Sequence, residues 1–186
     1  MIERCKKEWS ELENKAFELL RSFRLLSKKE VSKLYNPMLR LWIYPSFQPY
    51  QVWYFCEPHF KAAHLKNFKI IGAIWDRNED YRRLSDPLKG LKEGFEAEPR
   101  IEVSSIEIER EFFEKIFDEL KQIQFPAFAN YRKSIGIDGV RSGIETFDTT
   151  HKTSISWWSV YPDEWQNIID WFEKTVVLIE EKFNDR

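Results

Sequence analysis

The run NFKIIGAIW, residues 67–75, constrains the fold more than any other stretch of this chain. In an extended conformation Phe68, Ile70 and Ile74 stand on one side and Ile71, Ala73 and Trp75 on the other, so the segment has no face that prefers water. It is too short and too rich in β-branched residues for a buried helix. A strand of this kind belongs in the middle of a sheet with both faces covered. The rest of the chain must therefore supply flanking strands and two layers of helices.

Those elements are legible. Cys5, Trp9, Leu12, Ala16, Leu19, Leu20 and Phe23 recur at three- and four-residue steps, which predicts a helix over about residues 3–26 with a charged outer face. SKKEVSKLY predicts a short second helix, with Ser27 as N-cap, Glu30 completing a capping box, and Asn36-Pro37 as the stop. MLRLWIYP and YQVWYFCEP read as strands before residue 67, and RIEVSSIEI as one after it, with a parity slip at Ser104 and Ser105 that a β-bulge explains. Phe112, Phe113, Ile116, Phe117, Leu120 and Ile123 form a helical stripe stopped by Phe125-Pro126. SIGI, RSGIETF and TSISWWSV are the remaining strands, with turns at Asp138-Gly139 and around Asp148 to His151. A last helix begins near Pro162 or Asp163 and turns Trp165, Ile168, Ile169, Phe172, Val176, Ile179 and Phe183 inward. The expected fold is α+β: a mostly antiparallel sheet of about six or seven strands with N-terminal, middle and C-terminal helices packed on it. Residues 1–186 read as a single domain, long enough to bury roughly 70% of the surface of the unfolded chain.

Charge excludes several function classes. The chain carries 31 acids against 29 Lys and Arg, a formal net charge of -2, which is not the balance of a protein that tracks a nucleic-acid backbone. Ten Lys and Arg face six Glu over residues 1–40, and seven acids face three bases over residues 163–186, so the two ends differ in sign. Aromatics beside Arg in LRLWIYP and QVWYFC resemble a base-stacking sheet only superficially, and core packing explains them better. No apolar run has the length of a membrane span or a secretory leader, and Cys5 and Cys56 read as buried thiols, so a cytoplasmic location is expected.

Known catalytic and cofactor patterns are missing from the sequence. His59 and His64 are five apart, which does not place two imidazoles on one helix face. Asp76, Asn78 and Asp80 begin like a calcium loop, but its sixth position is Tyr81 and its twelfth Pro87, where Gly and Glu are required. Six glycines leave little scope for a phosphate cradle, so neither metal nor cofactor is expected. The most enzyme-like cluster is Asp138, Arg141, Asp148, Thr149, Thr150 and His151 at the two ends of adjacent strands; Asp148 hydrogen-bonded to His151 across the turn would orient the imidazole as a general base. The competing expectation is a protein-binding surface. Residues 76–99 read as a long charged loop, which nominates Asp76, Asp80 and Tyr81 as contacts. TSISWWSV sends one tryptophan under the last helix and its neighbour to the other sheet face, which nominates Trp158 with Arg141 and Tyr161.

The order Asp138-Gly139, a polar hairpin, SWW at 156–158, and Pro162 and Trp165 opening an amphipathic helix resembles the C-terminal portion of small uncharacterised bacterial proteins. Some of these are similar to immunity proteins of contact-dependent or polymorphic toxin systems. The resemblance covers about the last fifty residues. It implies a bacterial, cytoplasmic, non-enzymatic protein whose partner is another protein, and it brings no catalytic residue with it.

Overall fold

A computed structural model of the chain describes residues 2–27, 29–62, 67–85, 98–126, 138–147 and 151–185. Its centre is a six-stranded, wholly antiparallel sheet formed by β1 (Tyr35–Pro45), β2 (Tyr50–Pro58), β3 (Phe68–Trp75), β4 (Ile101–Ile108), β5 (Val140–Phe147) and β6 (Lys152–Trp157), in the order β4-β3-β2-β1-β5-β6. Six α-helices are present among the described residues, and the α+β expectation holds. They are α1 (Ile2–Arg21), α2 (Phe23–Leu26), α3 (Lys29–Leu34), α4 (Arg77–Ser85), α5 (Arg110–Gln122) and α6 (Gln166–Asn184).

β3 lies inside the sheet, and both its faces are covered, as its double apolar parity requires, except at Ile74, which is exposed near the end of the strand. Ile70 joins a core with Leu39, Leu41, Phe55 and Trp157 beneath α5 and α6. Ile71, Ala73 and Trp75 join a second core with Tyr44, Val52 and Tyr54 beneath α1 and α2. The helical stripes of α1, α5 and α6 supply Leu12, Ala16 and Leu20, then Phe113 and Ile116, then Ile168, Ile169, Phe172, Val176 and Ile179. Trp157 does pack under the last helix, edge-on to Phe172 with ring centroids 5.0 Å apart.

Several boundaries differ from the expectation. The first helix breaks at Ser22, which has extended backbone angles and caps α2 with its side chain. The Ser27 hydroxyl turns back and donates to the Phe23 carbonyl at 2.6 Å, so it closes α2 instead of opening α3. Strand β1 starts at Tyr35 and runs through Asn36-Pro37, because Pro37 is accommodated at an irregularity between Pro37 and Leu39. No bulge interrupts β4, whose register against β3 is continuous from Ile101 to Ile108; the parity slips at Ser104 and Ser105 because this is an edge strand with residues 102–105 exposed. Within the expected 76–99 loop, Arg77–Ser85 is helix α4. The expected strand SIGI, 134–137, lies outside the described residues.

Candidate functional site

The two faces of the sheet are covered unequally. Helices α5 and α6 span one face out to Trp157 on β6, whereas on the other face α1 lies over β1 to β3, and among the described residues no helix covers that side of β5 and β6. At the margin of α1 this leaves a groove of ≈420 Å³.

Strand alternation dictates what lines it. Arg40, Trp42 and Tyr44 share one side of β1, the side away from Leu39 and Leu41. Across the β1–β5 seam Arg40 faces Glu145, Trp42 faces Gly143 and Tyr44 faces Arg141. On β6, Ser154 faces Glu145 and Ser156 faces Gly143. Arg21 and Phe17 on α1, Tyr50, Lys152 and Trp158 complete the lining. Gly143 is required by close approach, since a Cβ there would sit 2.3 Å from Trp42 Cζ2 and 2.8 Å from the Ile155 carbonyl oxygen. The indole therefore lies across the strand where any side chain would exclude it.

Arg40 forms the floor and is 1% exposed. Its Nη1 lies 3.1 Å from Glu145 Oε2 and its Nη2 donates to the Tyr44 hydroxyl at 2.6 Å. Lys152 Nζ reaches the same Glu145 oxygen at 3.1 Å. One carboxylate thus compensates two cations, while Arg40 Nε, Trp42 Nε1 and Trp158 Nε1 have no hydrogen-bond partner among the described residues. Arg40 and Arg141 flank Trp42, with guanidinium carbons 5.8 and 5.7 Å from its ring. Trp42, Tyr44 and Tyr50 stack in succession at 4.6 and 4.8 Å. Burial raises the Tyr44 phenol above its usual range, and the neighbouring Arg40 and Arg21 oppose that rise only in part. Among the described lining residues, Arg21, Arg40, Arg141 and Lys152 stand against Glu145, a local surplus of three positive charges in a chain whose net charge is -2.

The structure distributes the predicted site residues widely. Trp158 and Arg141 line the groove, whereas Tyr161 packs against the core on the opposite face. Asp80 is not a surface contact. It is fully buried, accepts from Trp75 Nε1 at 2.8 Å and from the Arg100 backbone N–H at 2.9 Å, and pairs with Arg83 at 3.1 Å. Asp76 caps α4 by accepting from the Glu79 backbone N–H at 3.0 Å, and Tyr81 sets its half-exposed ring edge-on to Trp9 at 5.2 Å. Both positions serve helix α4, and residues 86–97 of the expected loop lie outside the described residues.

Asp138 precedes β5 and His151 follows its far end, so the length of the strand, about 25 Å, separates them. Asp148, Thr149 and Thr150 lie outside the described residues. Gly139 also has a role that the turn reading overlooked: its backbone is clamped to Ser46 Oγ, and a Cβ would meet Ser159 Oγ at 2.5 Å and Trp158 Nε1 at 2.6 Å. Cys56 is buried and its thiol is pushed up by desolvation, while the Cys5 side chain and His64 lie outside the described residues. Among the described residues no three His, Cys, Asp or Glu side chains gather as a metal site, and no helix is long and apolar enough to cross a membrane.

Arg40, Trp42, Tyr44, Glu145 and Lys152 were not singled out from the sequence. Their signal was the alternation in LRLWIYP, which puts an arginine on the same strand face as two aromatics. Comparison with protein-family models, with curated proteins and with solved structures finds no match.

Proposed function

We propose that this chain is a non-catalytic binding protein that recognises another protein through the open end of its sheet, where Trp158, Arg141 and Lys152 border the groove. The supporting observation is the surplus of cations beside the half-buried rings of Trp158 and Tyr50, which gives an acidic partner surface both charge complementarity and anchoring rings. Trp, Tyr and Arg are the side chains that most often dominate contact energies, and all three meet here. The immunity-protein resemblance of the last fifty residues belongs to the same reading.

Purification of the tagged protein from its native lysate tests it, with Trp158→Ala and Arg141→Glu run in parallel. The expected result is a stoichiometric partner that is lost in both variants while their circular dichroism is unchanged. A partner retained equally by both variants, or no partner at all, refutes the proposed surface.

A further inference from the structure

The interior of the groove has a chemistry more specific than its rim. Its volume, ≈420 Å³, lies within the ~300–1,000 Å³ range of small-ligand sites and corresponds to that of about fourteen water molecules at ~30 Å³ each. One partner carboxylate would leave most of that space wet. We propose that the groove binds a small organic phosphate monoester whose body is a planar ring.

The charge balance favours a dianion. Four cationic side chains against one carboxylate leave three positive charges unmatched, and a phosphate monoester brings about -1.5 to -2 near neutral pH, where a carboxylate brings only one negative charge. Three of the cations, Arg21, Arg40 and Arg141, are guanidiniums, whose planar forks match phosphate oxygens. Arg40 is already committed to Glu145 and Tyr44, so it fixes the floor and raises the local potential. Arg141, exposed at the rim, is the group that grips the phosphate, and Lys152, which shares the Glu145 oxygen with Arg40 at 3.1 Å, adds its charge, with the Ser154 and Ser156 hydroxyls as additional donors. The ring is required by the wall opposite. Trp42 and Tyr44 are buried and stacked on each other, with Gly143 leaving room for the indole, so the aromatics that meet a ligand ring are the half-buried Tyr50, Phe17 and Trp158 of the lining. Side-chain cations here replace the glycine-rich backbone cradle that the sequence lacks.

This site shares the groove with the protein-binding surface but does not depend on a protein partner, and the test separates the two. Phenyl phosphate is titrated into the full chain by isothermal titration calorimetry, alongside phenol, benzoate and inorganic phosphate. Saturable binding of phenyl phosphate is expected, tighter than about 1 mM and weakened by added salt. Each of the three comparison compounds is expected to bind at least about tenfold more weakly, and Arg141→Gln and Lys152→Gln each to weaken phenyl phosphate by about tenfold or more. Both side chains are exposed, so both variants keep the wild-type circular dichroism. Absence of saturable binding, equal binding of phenol, or undiminished binding in the Arg141→Gln, Lys152→Gln double variant overturns the proposal. A protein partner captured through the rim without any phenyl phosphate binding leaves the preceding proposal standing and overturns this one. Phenyl phosphate binding without a captured partner supports this one alone.

Discussion

Removal of the Asp80 carboxylate should unfold the α1–α4 side of the molecule at much lower temperature than any surface substitution does. Asp80 is completely buried, and three groups depend on it: the Trp75 indole N–H at 2.8 Å, the Arg100 backbone N–H at 2.9 Å and the Arg83 guanidinium at 3.1 Å. In Asp80→Ala two donors lose their acceptor, and an arginine whose side chain is 9% exposed loses its counter-charge. Breaking a buried pair by deleting one partner costs about 3–5 kcal/mol. At about 2–4 °C per kcal/mol for a chain of this size, the expected loss in Tm is about 6–20 °C. Asp80→Asn keeps one oxygen for the two N–H groups but sets its amide NH2 against the Arg83 guanidinium, so it loses at least the charge-assisted part, about 1.5–3 kcal/mol. Thermal unfolding followed by circular dichroism, with urea titration for the free energy, measures both. The reasoning is refuted if Asp80→Ala falls within about 1 kcal/mol of wild type, because the carboxylate would then be a bystander.

Gly143→Ala places a methyl 2.3 Å from Trp42 Cζ2 with the Ile155 carbonyl 2.8 Å behind it, so the ring has to move; at least ~1–3 kcal/mol is expected to be lost in urea unfolding. A variant indistinguishable from wild type would show that the indole does not rest on the strand. Tyr54→Phe deletes the hydroxyl that donates to the Leu20 carbonyl at 2.9 Å near the end of α1, and should cost about 1–2 kcal/mol by the same assay. Burial raises the phenols of Tyr35, Tyr44, Tyr50 and Tyr54 above 10.0 and the Cys56 thiol above 9.0. Their stabilising contribution is fully present below those ordinary values and is lost as pH rises through the raised ones, so Tm should fall progressively above about pH 9–10. Phenolate absorbance in alkali exceeding that of the three other tyrosines, Tyr81, Tyr131 and Tyr161, before any loss of circular dichroism would contradict this.

Elements with strong periodicity were legible from the residues alone, because one chemical fact dominates each. The double apolar parity of residues 67–75 specifies an inner strand, and the stripes of α1, α5 and α6 specify their buried faces. Segment 77–85 was read as loop because seven of its nine residues, Arg77, Asn78, Glu79, Asp80, Arg82, Arg83 and Ser85, are polar. What makes it a helix is tertiary: a buried Asp80, Arg77 paired with Glu13 at 2.8 Å, and Tyr81 against Trp9. Nothing local announces that an aspartate will be interior. The groove was hidden for a related reason. Trp158 and Arg141 could be nominated from the last hairpin, but Arg40 lies about a hundred residues away and becomes a neighbour only when β5 pairs with β1. Strand order, which a period-two pattern does not encode, decides that pairing.

The way β5 joins the sheet has a kinetic consequence. Strands β1 to β4 form a meander in which each strand pairs with the next in sequence, while the β5–β6 hairpin returns to the free edge of β1 and closes a loop of about a hundred residues. Contacts of such separation are the slow ones to form. The seam between β1 and β5 is therefore the last part of the sheet to zip, and Arg40 and Trp42 on one side meet Glu145 and Gly143 on the other only at that step. A chain arrested before it would keep most of its helices and strands and have no groove. The groove therefore exists only in a chain whose sheet is complete, and the Arg40–Glu145 pair that bridges the seam acts as a clasp on the final closure.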